Sequence, residues 1–278
     1  MTGLRIVTAI AIVLPVLGIV LLAPMLLFAG LVLLVVLLGA WEWSGLLGMT
    51  GRAQRGAYVL VIGVPVLALA GGFFAITATM NVILVVALLW WAVVLVVLAG
   101  YEPGRLRSRP GTVLLWIAGP LTLIPAALAL IGLQAAHPYL VLYLLGLVAL
   151  ADTGAYFVGR RFGKTALAPG ISPGKTREGL LGAMLAAFAL SVVVAWRVDW
   201  PPLEALVFVL LSMLVALISV AGDLLESVLK REAGAKDSGR LLPGHGGILD
   251  RIDSLTSAAP LLLLGLLWLE LWPWGSLG

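Results

Sequence analysis

The chain contains no cysteine and only two histidines, His137 and His245. Disulfides, thiolate zinc sites and iron–sulfur clusters are therefore excluded, and any metal must be held by oxygens or by a single imidazole. That donor chemistry favours a hard cation such as Mg²⁺. Charge is scarce too: 11% of the 278 residues are charged, less than half the roughly 25% of an ordinary soluble domain. Against that scarcity, 62% of the residues are hydrophobic and the mean hydropathy is +1.17, which puts the chain in the integral membrane class. The net charge of +4 reflects orientation in a bilayer rather than nucleic acid, because the bases lie in loops between apolar runs.

Nine runs are long and apolar enough to span a bilayer: roughly 5–22, 25–43, 57–75, 81–99, 112–132, 138–158, 180–197, 203–224 and 254–272. The first lacks a small-residue cleavage site followed by a soluble domain, so it reads as a retained span and not a signal peptide. Only Ala23-Pro24 separates it from the second, which predicts a tight hairpin. Trp41, Trp43, Trp90, Trp91, Trp196, Trp200, Trp272 and Trp274 lie near predicted ends, as interfacial anchors should. Of the 17 bases, 16 fall at the N-terminus or after even-numbered spans, leaving only Arg197 on the other side. The positive-inside rule then puts the N-terminus in the cytoplasm and the C-terminus outside.

The expected fold is an all-α integral membrane protein of about nine transmembrane helices. It divides into an N-terminal region of five helices, 1–132, and a C-terminal catalytic region, 133–278, with four helices and two long cytoplasmic loops, about 159–179 and 225–253. No internal repeat suggests a transporter built from matching halves.

The stretch from Ser227 to Asp253 is a polar island, with five bases and four acids in 27 positions. Just before it, Asp223 lies seven residues from Lys230, and Asp152 lies eight from Arg160. At 1.5 Å per residue both carboxylates sit roughly 10–12 Å below the cytoplasmic end of their spans, a depth at which an ionisable group is a functional candidate. Asp223, Ser227 and Lys230 share one helical face, bordered by Glu226, and Asp250, Asp253, Ser254 and Ser257 repeat the spacing on the next span. Two such stripes facing each other make Asp223 and Asp250 a candidate oxygen-rich metal site, with Asp253 close by. Acids are also favoured at a helix N-terminus, which accounts for one of the second set but not for the matching stripe.

Between the stripes, Gly244, Gly246 and Gly247 surround His245 ahead of a helix start, the arrangement a phosphate-binding turn needs. Lys230, Arg231, Lys236, Arg240 and Arg251 surround it. In the other loop, Ser172, Lys175 and Thr176 form a second candidate phosphate patch, equally readable as an ordinary basic loop. A Walker A motif is excluded there, because its first glycine would fall on Pro169 and no strand precedes it. Carboxylates for a hard cation, bases for phosphate and access to both water and lipid suit metal-assisted phosphoryl or nucleotidyl transfer.

The pattern Ser227-x-x-Lys230-Arg231-x4-Lys236-Asp237-x-Gly239-x2-Leu242-Pro243-x-His245-Gly246-Gly247-Ile248-x-Asp250-Arg251-Ile252-Asp253 closely resembles the signature of the phosphatidate cytidylyltransferases. Asp152-Thr153-Gly154 and Ser172-Pro173-Gly174-Lys175-Thr176-Arg177-Glu178-Gly179 resemble two further family segments, although the family carries Lys at position 174 and Trp at position 177. The likeness covers about 150–257; upstream, only hydropathy and an opening Arg5-Ile6-x-Thr8 run match.

The resemblance implies that CTP and phosphatidate give CDP-diacylglycerol and pyrophosphate, with Mg²⁺, at the cytoplasmic face of a bacterial inner membrane. It implies Asp223 and Asp250 as metal ligands, Asp152 and Asp253 as orienting groups, and Lys230, Arg231, Lys236 and Arg251 as neutralisers of phosphate charge. Ser227 and His245 would position substrate, and Ser172, Lys175, Thr176, Asp237, Gly246 and Gly247 would line its site. A homodimer and a second, monovalent cation are left open. The competing readings are cytidylyl transfer to another lipid phosphate such as an isoprenoid glyceryl phosphate, a transporter, and a catalytically silent scaffold.

Overall fold

The computed structural model describes residues 15–71, 77–239, 241 and 246–272. Eight helices in it are long and apolar enough to cross a membrane: α1 (Met25–Leu46), α2 (Arg52–Gly71), α3 (Thr77–Ala99), α4 (Arg109–Ala136), α5 (Pro138–Phe162), α6 (Arg177–Val198), α7 (Pro202–Ala233) and α8 (Leu249–Leu269). Each overlaps one of the runs read from hydropathy. Of the first expected span, 15–22 is helical and breaks at Pro24, while 5–14 lies outside the described residues.

α4 is the hub, packed against α1, α2, α3, α5 and α8. It is apolar on all sides, and its neighbours bury most of it. Small residues allow the close approach: Ala127 and Ala129 have no exposed surface, alongside Leu123, Leu128 and Leu133. Lipid-facing positions are equally apolar, with Leu26, Val96 and Trp196 exposed at 85%, 74% and 76%. The tryptophan belt is only partly realised. Trp43, Trp90 and Trp91 face the core; Trp43 donates to the Leu115 carbonyl at 3.2 Å and Trp90 to Thr122 Oγ1 at 3.0 Å. Inside lipid, a buried indole N–H is best satisfied by a neighbouring helix. Trp274 lies outside the described residues.

The helices that carry the chemistry pack through glycine. A Cβ on Gly154 of α5 would come within 2.5 Å of the Gly182 carbonyl on α6, and the converse holds. On α7, a Cβ at Gly222 would strike the Asp253 carbonyl and lie 2.8 Å from Ser257 Oγ of α8. Backbones therefore meet at both crossings, as small-residue interfaces permit in membranes.

Two expectations are corrected. The loop at 159–179 is mostly ordered: α5 continues to Phe162, and Ala166–Ala168 (β1) pairs antiparallel with Ser172–Thr176 (β2), so the fold is not purely helical. The hairpin is held from outside, because Glu178 accepts the backbone N–H groups of Lys164 (3.0 Å) and Thr165 (3.2 Å). The polar island is likewise not one loop. α7 runs on to Ala233, since Leu224, Leu225, Val228 and Leu229 continue its buried face beneath the polar stripe, leaving 234–248 as the connection.

Candidate functional site

The base-carrying loops converge at one end of the bundle. Glu232, near the end of α7, accepts from Tyr101 Oη at 2.7 Å and from Gly104 N at 2.9 Å. Its neighbour Arg231 donates from Nε to the Ile171 carbonyl at 3.1 Å in the hairpin turn. The helix ends of α3, α5 and α7 are thereby tied together.

Below these ties, a cavity of about 380 Å³ lies between α5, α6, α7 and the hairpin. Asp152, Arg160, Lys175, Thr176 and Asp223 give it charge and hydrogen-bonding groups, while Leu167, Leu180, Ala183 and Val220 give it apolar wall. Its volume is in the range of small-molecule sites. Lys175 of β2 is ion-paired with Asp223 of α7. Asp152 lies within Coulombic reach of both. Ser227, one turn after Asp223, approaches its Oδ1 at 3.4 Å. Arg160 donates to Tyr156 Oη at 2.9 Å on the cavity wall.

A second centre lies farther along α7. Lys230 Nζ bridges Asp250 Oδ1 at 2.7 Å and Glu226 Oε2 at 3.1 Å. The Lys230, Glu226 and Asp250 side chains are only 16%, 4% and 13% exposed. Asp253 lies against Glu226 and within reach of Asp223 and Lys175, which links the two centres. The two predicted stripes do meet, but as close packing: Lys230 on Asp250, Glu226 on Asp253, and Ser257, which donates to the Ile218 carbonyl at 2.9 Å.

The structure thus brings together Asp152, Lys175, Asp223, Ser227, Lys230, Asp250 and Asp253. Thr176 lines the cavity and also caps α6, accepting from Gly179 N at 3.0 Å. Ser172 lies on β2; Lys236, Asp237 and Arg251 are exposed at the same end. His245 and Arg240 lie outside the described residues. Beside the turn expected to meet phosphate, three amides are engaged internally: Gly247 N donates to Asp250 Oδ2 at 2.8 Å, and Ile248 N and Leu249 N donate to Glu42 at 3.0 and 2.9 Å. Among the described residues, no three His, Asp or Glu side chains form a ready-made metal cage.

Four participants escaped the sequence reading. Arg160 had been counted only as a loop base. Glu226 bordered the stripe but was given no role. Ser238 fell on an unspecified motif position. Glu42 was passed over between Trp41 and Trp43, although a lone acid inside an apolar run is itself a signal.

Fold and site together define a multi-pass membrane protein with a charge-lined cavity suited to a phosphate-bearing amphiphile. The chain belongs to the Cytidylyltransferase family, which it matches over residues 3–268. It is 40% identical over 246 residues to the phosphatidate cytidylyltransferase of Pseudomonas aeruginosa, covering 86% of each chain. Similarity to the Haemophilus influenzae phosphatidate cytidylyltransferase is 36% over 256 residues, 81% of this chain and 85% of that protein. The resemblance seen in the motifs extends into the N-terminal half, where only hydropathy and the Arg5-Ile6-x-Thr8 run had matched.

Proposed function

We propose that this chain transfers the cytidylyl group of CTP to phosphatidate, giving CDP-diacylglycerol and pyrophosphate, in a bacterial inner membrane with its cavity open to the cytoplasm. The observation that carries the reading is the composition of the cavity, where Arg160, Lys175, Asp152 and Asp223 share a wall with apolar side chains of α6 and α7. A phospholipid headgroup with its glyceryl backbone needs both surfaces. The extensive similarity to proteins named for this activity supports the same conclusion, and the crowding of bases at one end supports the cytoplasmic orientation.

A phosphate oxygen of phosphatidate attacks the α-phosphorus of CTP. The bond from that phosphorus to the bridging oxygen of the β-phosphate breaks, and pyrophosphate leaves with the electron pair. The nucleophile is already an anion, so no strong protein base is required. Lys175 and Lys230 neutralise charge on the phosphates, each held by a carboxylate that fixes its position. Arg231 acts through the hairpin, setting β2 and hence Lys175 by its bond to Ile171. Lys236 and Arg251 add positive potential where the triphosphate arrives, and Asp152 and Asp253 orient the lysines.

The donor set fits Mg²⁺, which is ordinarily held by one or two carboxylates together with substrate phosphates and not by an all-protein cage. Asp223 and Asp250 are the residues that would hold it. Asp223 keeps acceptor capacity beyond Lys175 and a long contact from Ser227. Asp250 already accepts from Lys230, from Ser238 N and Oγ, and from Gly247 N, which fills the roughly four acceptor sites of a carboxylate. Of the two, Asp223 is therefore the carboxylate with capacity to spare for a cation. The chemistry Mg²⁺ supplies when bound is charge neutralisation of the triphosphate and its leaving group.

The test is competition between lipid phosphates in detergent: labelled CTP with phosphatidate or with an isoprenoid glyceryl phosphate, following pyrophosphate release. Preferential turnover of phosphatidate is expected. Preference for the isoprenoid lipid moves the substrate assignment and leaves the reaction type standing.

A further inference from the structure

Glu42 belongs to α1, in the half of the chain that carries none of the cavity-lining residues, yet its carboxylate reaches the polar end of α8. Its side chain sits in a residue only 4% exposed. Oε1 accepts from Ile248 N at 3.0 Å, and Oε2 accepts from Leu249 N at 2.9 Å. These are backbone donors at the start of α8, where no earlier turn supplies acceptors and the helix dipole favours an anion. A third contact comes from Ser238 Oγ, 3.1 Å from Glu42 Oε2 and 2.9 Å from Asp250 Oδ2. A hydroxyl has one proton to donate, so Ser238 Oγ sits between the two carboxylates and donates to one of them at a time, while its backbone N–H donates to Asp250 at 3.0 Å.

The same carboxylate explains two glycines of the motif. A Cβ on Gly239 would strike Glu42 Oε1, and a Cβ on Gly247 would strike both Glu42 Oε2 and Ser238 Oγ. The connection between α7 and α8 is thus wrapped around a buried acid from a distant helix.

We propose that Glu42 is a positioning residue: acting through Ser238 and the first turn of α8, it fixes Asp250 against Lys230. The proposal rests on the reading of Asp250 and Lys230 as site residues. It assigns α1 a role in the reaction beyond spanning the membrane.

Glu42→Gln is the probing change. Glutamine keeps the shape but has one acceptor oxygen where three donors converge, and its amide N–H₂ meets backbone N–H groups. Losing a charge-assisted hydrogen bond predicts a fall in kcat on the order of 10- to 100-fold, with KM for phosphatidate within about twofold. Because the chain lacks cysteine, Leu241→Cys, an exposed position in the connection, can carry a single nitroxide. Its spectrum is expected to become more mobile in Glu42→Gln while the thermal unfolding midpoint holds. Ser238→Ala is expected to act through the same contact, so the double variant should lose little more than the worse single one.

An unchanged spectrum and kcat in Glu42→Gln overturns the proposal, as do fully multiplicative effects of the two substitutions. If Glu42→Gln does not fold, Ser238→Ala decides by the same two readouts: a slower enzyme with a more mobile label supports the anchor, and no change in either overturns it. Absence of CDP-diacylglycerol from the wild-type protein would count against the proposed reaction alone, and the label's response to Glu42→Gln would still decide the anchor.

Discussion

Lys175→Met removes one positive charge from the cavity while keeping most of the side chain's length. Lys175 is ion-paired with Asp223 and lies within Coulombic range of Asp152, and it is the one lysine in the described lining of the cavity. Two unit charges about 4 Å apart interact by about 4 kcal/mol at an effective dielectric of about 20. The Lys175 and Asp223 side chains are 27% and 30% exposed, so solvent screening reduces this to about 2 kcal/mol. If the ammonium stabilises phosphate charge to that extent in the transition state, its loss slows turnover about 30-fold. The assay is initial-rate formation of CDP-diacylglycerol from labelled CTP at saturating Mg²⁺, with Lys175→Arg as a charge-preserving control. Arginine should retain more activity than methionine but less than wild type, because a planar fork does not replace a compact point charge. A Lys175→Met enzyme within about threefold of wild type would refute the reasoning.

Other outcomes follow from the same geometry. Gly222→Val puts branched carbon between α7 and α8, where the Asp253 carbonyl and Ser257 leave no room; overpacking of about 1–3 kcal/mol should lower the thermal midpoint in detergent and reduce activity with it. Chelation of divalent cations should abolish turnover, and Asp250→Asn should remain slow even at saturating Mg²⁺; near-normal turnover of that variant would show that the metal assignment is wrong. Glu232→Gln weakens the tie to Tyr101 and Gly104, and the expected result is faster proteolytic nicking of the loop between α3 and α4 with the spans left intact.

The membrane helices were legible because hydropathy over some twenty residues is a local property, and each described helix overlaps the run that announced it. The position of Asp223, Lys230 and Asp250 at one end was legible for a related reason: helical spacing and the bias of bases among loops are both countable along the chain. The partners of these residues were not. Lys175 pairs with Asp223 across 48 positions and Ser238 meets Glu42 across 196, and no periodicity in either segment encodes such contacts. The polar island misled in one respect. The cytoplasmic loop was drawn from about 225 to 253, whereas the buried face of α7 continues as far as Leu229 and carries the helix to Ala233. The glycines around His245 suggested a phosphate-binding turn; for Gly247, and for Gly239 earlier in the motif, the structure adds a packing reason, because Glu42 occupies the space beside them. That reason becomes visible only when the first half of the chain is folded against the second.

The most direct test of the central claim is conversion of labelled CTP by purified protein supplied with phosphatidate and Mg²⁺, comparing wild type with Asp223→Asn. The account predicts that wild type forms lipid-linked CDP-diacylglycerol and pyrophosphate in equal amounts, and that Asp223→Asn loses this activity while remaining folded. Equal rates in the two proteins, or consumption of CTP without a lipid-linked cytidine product, would contradict it.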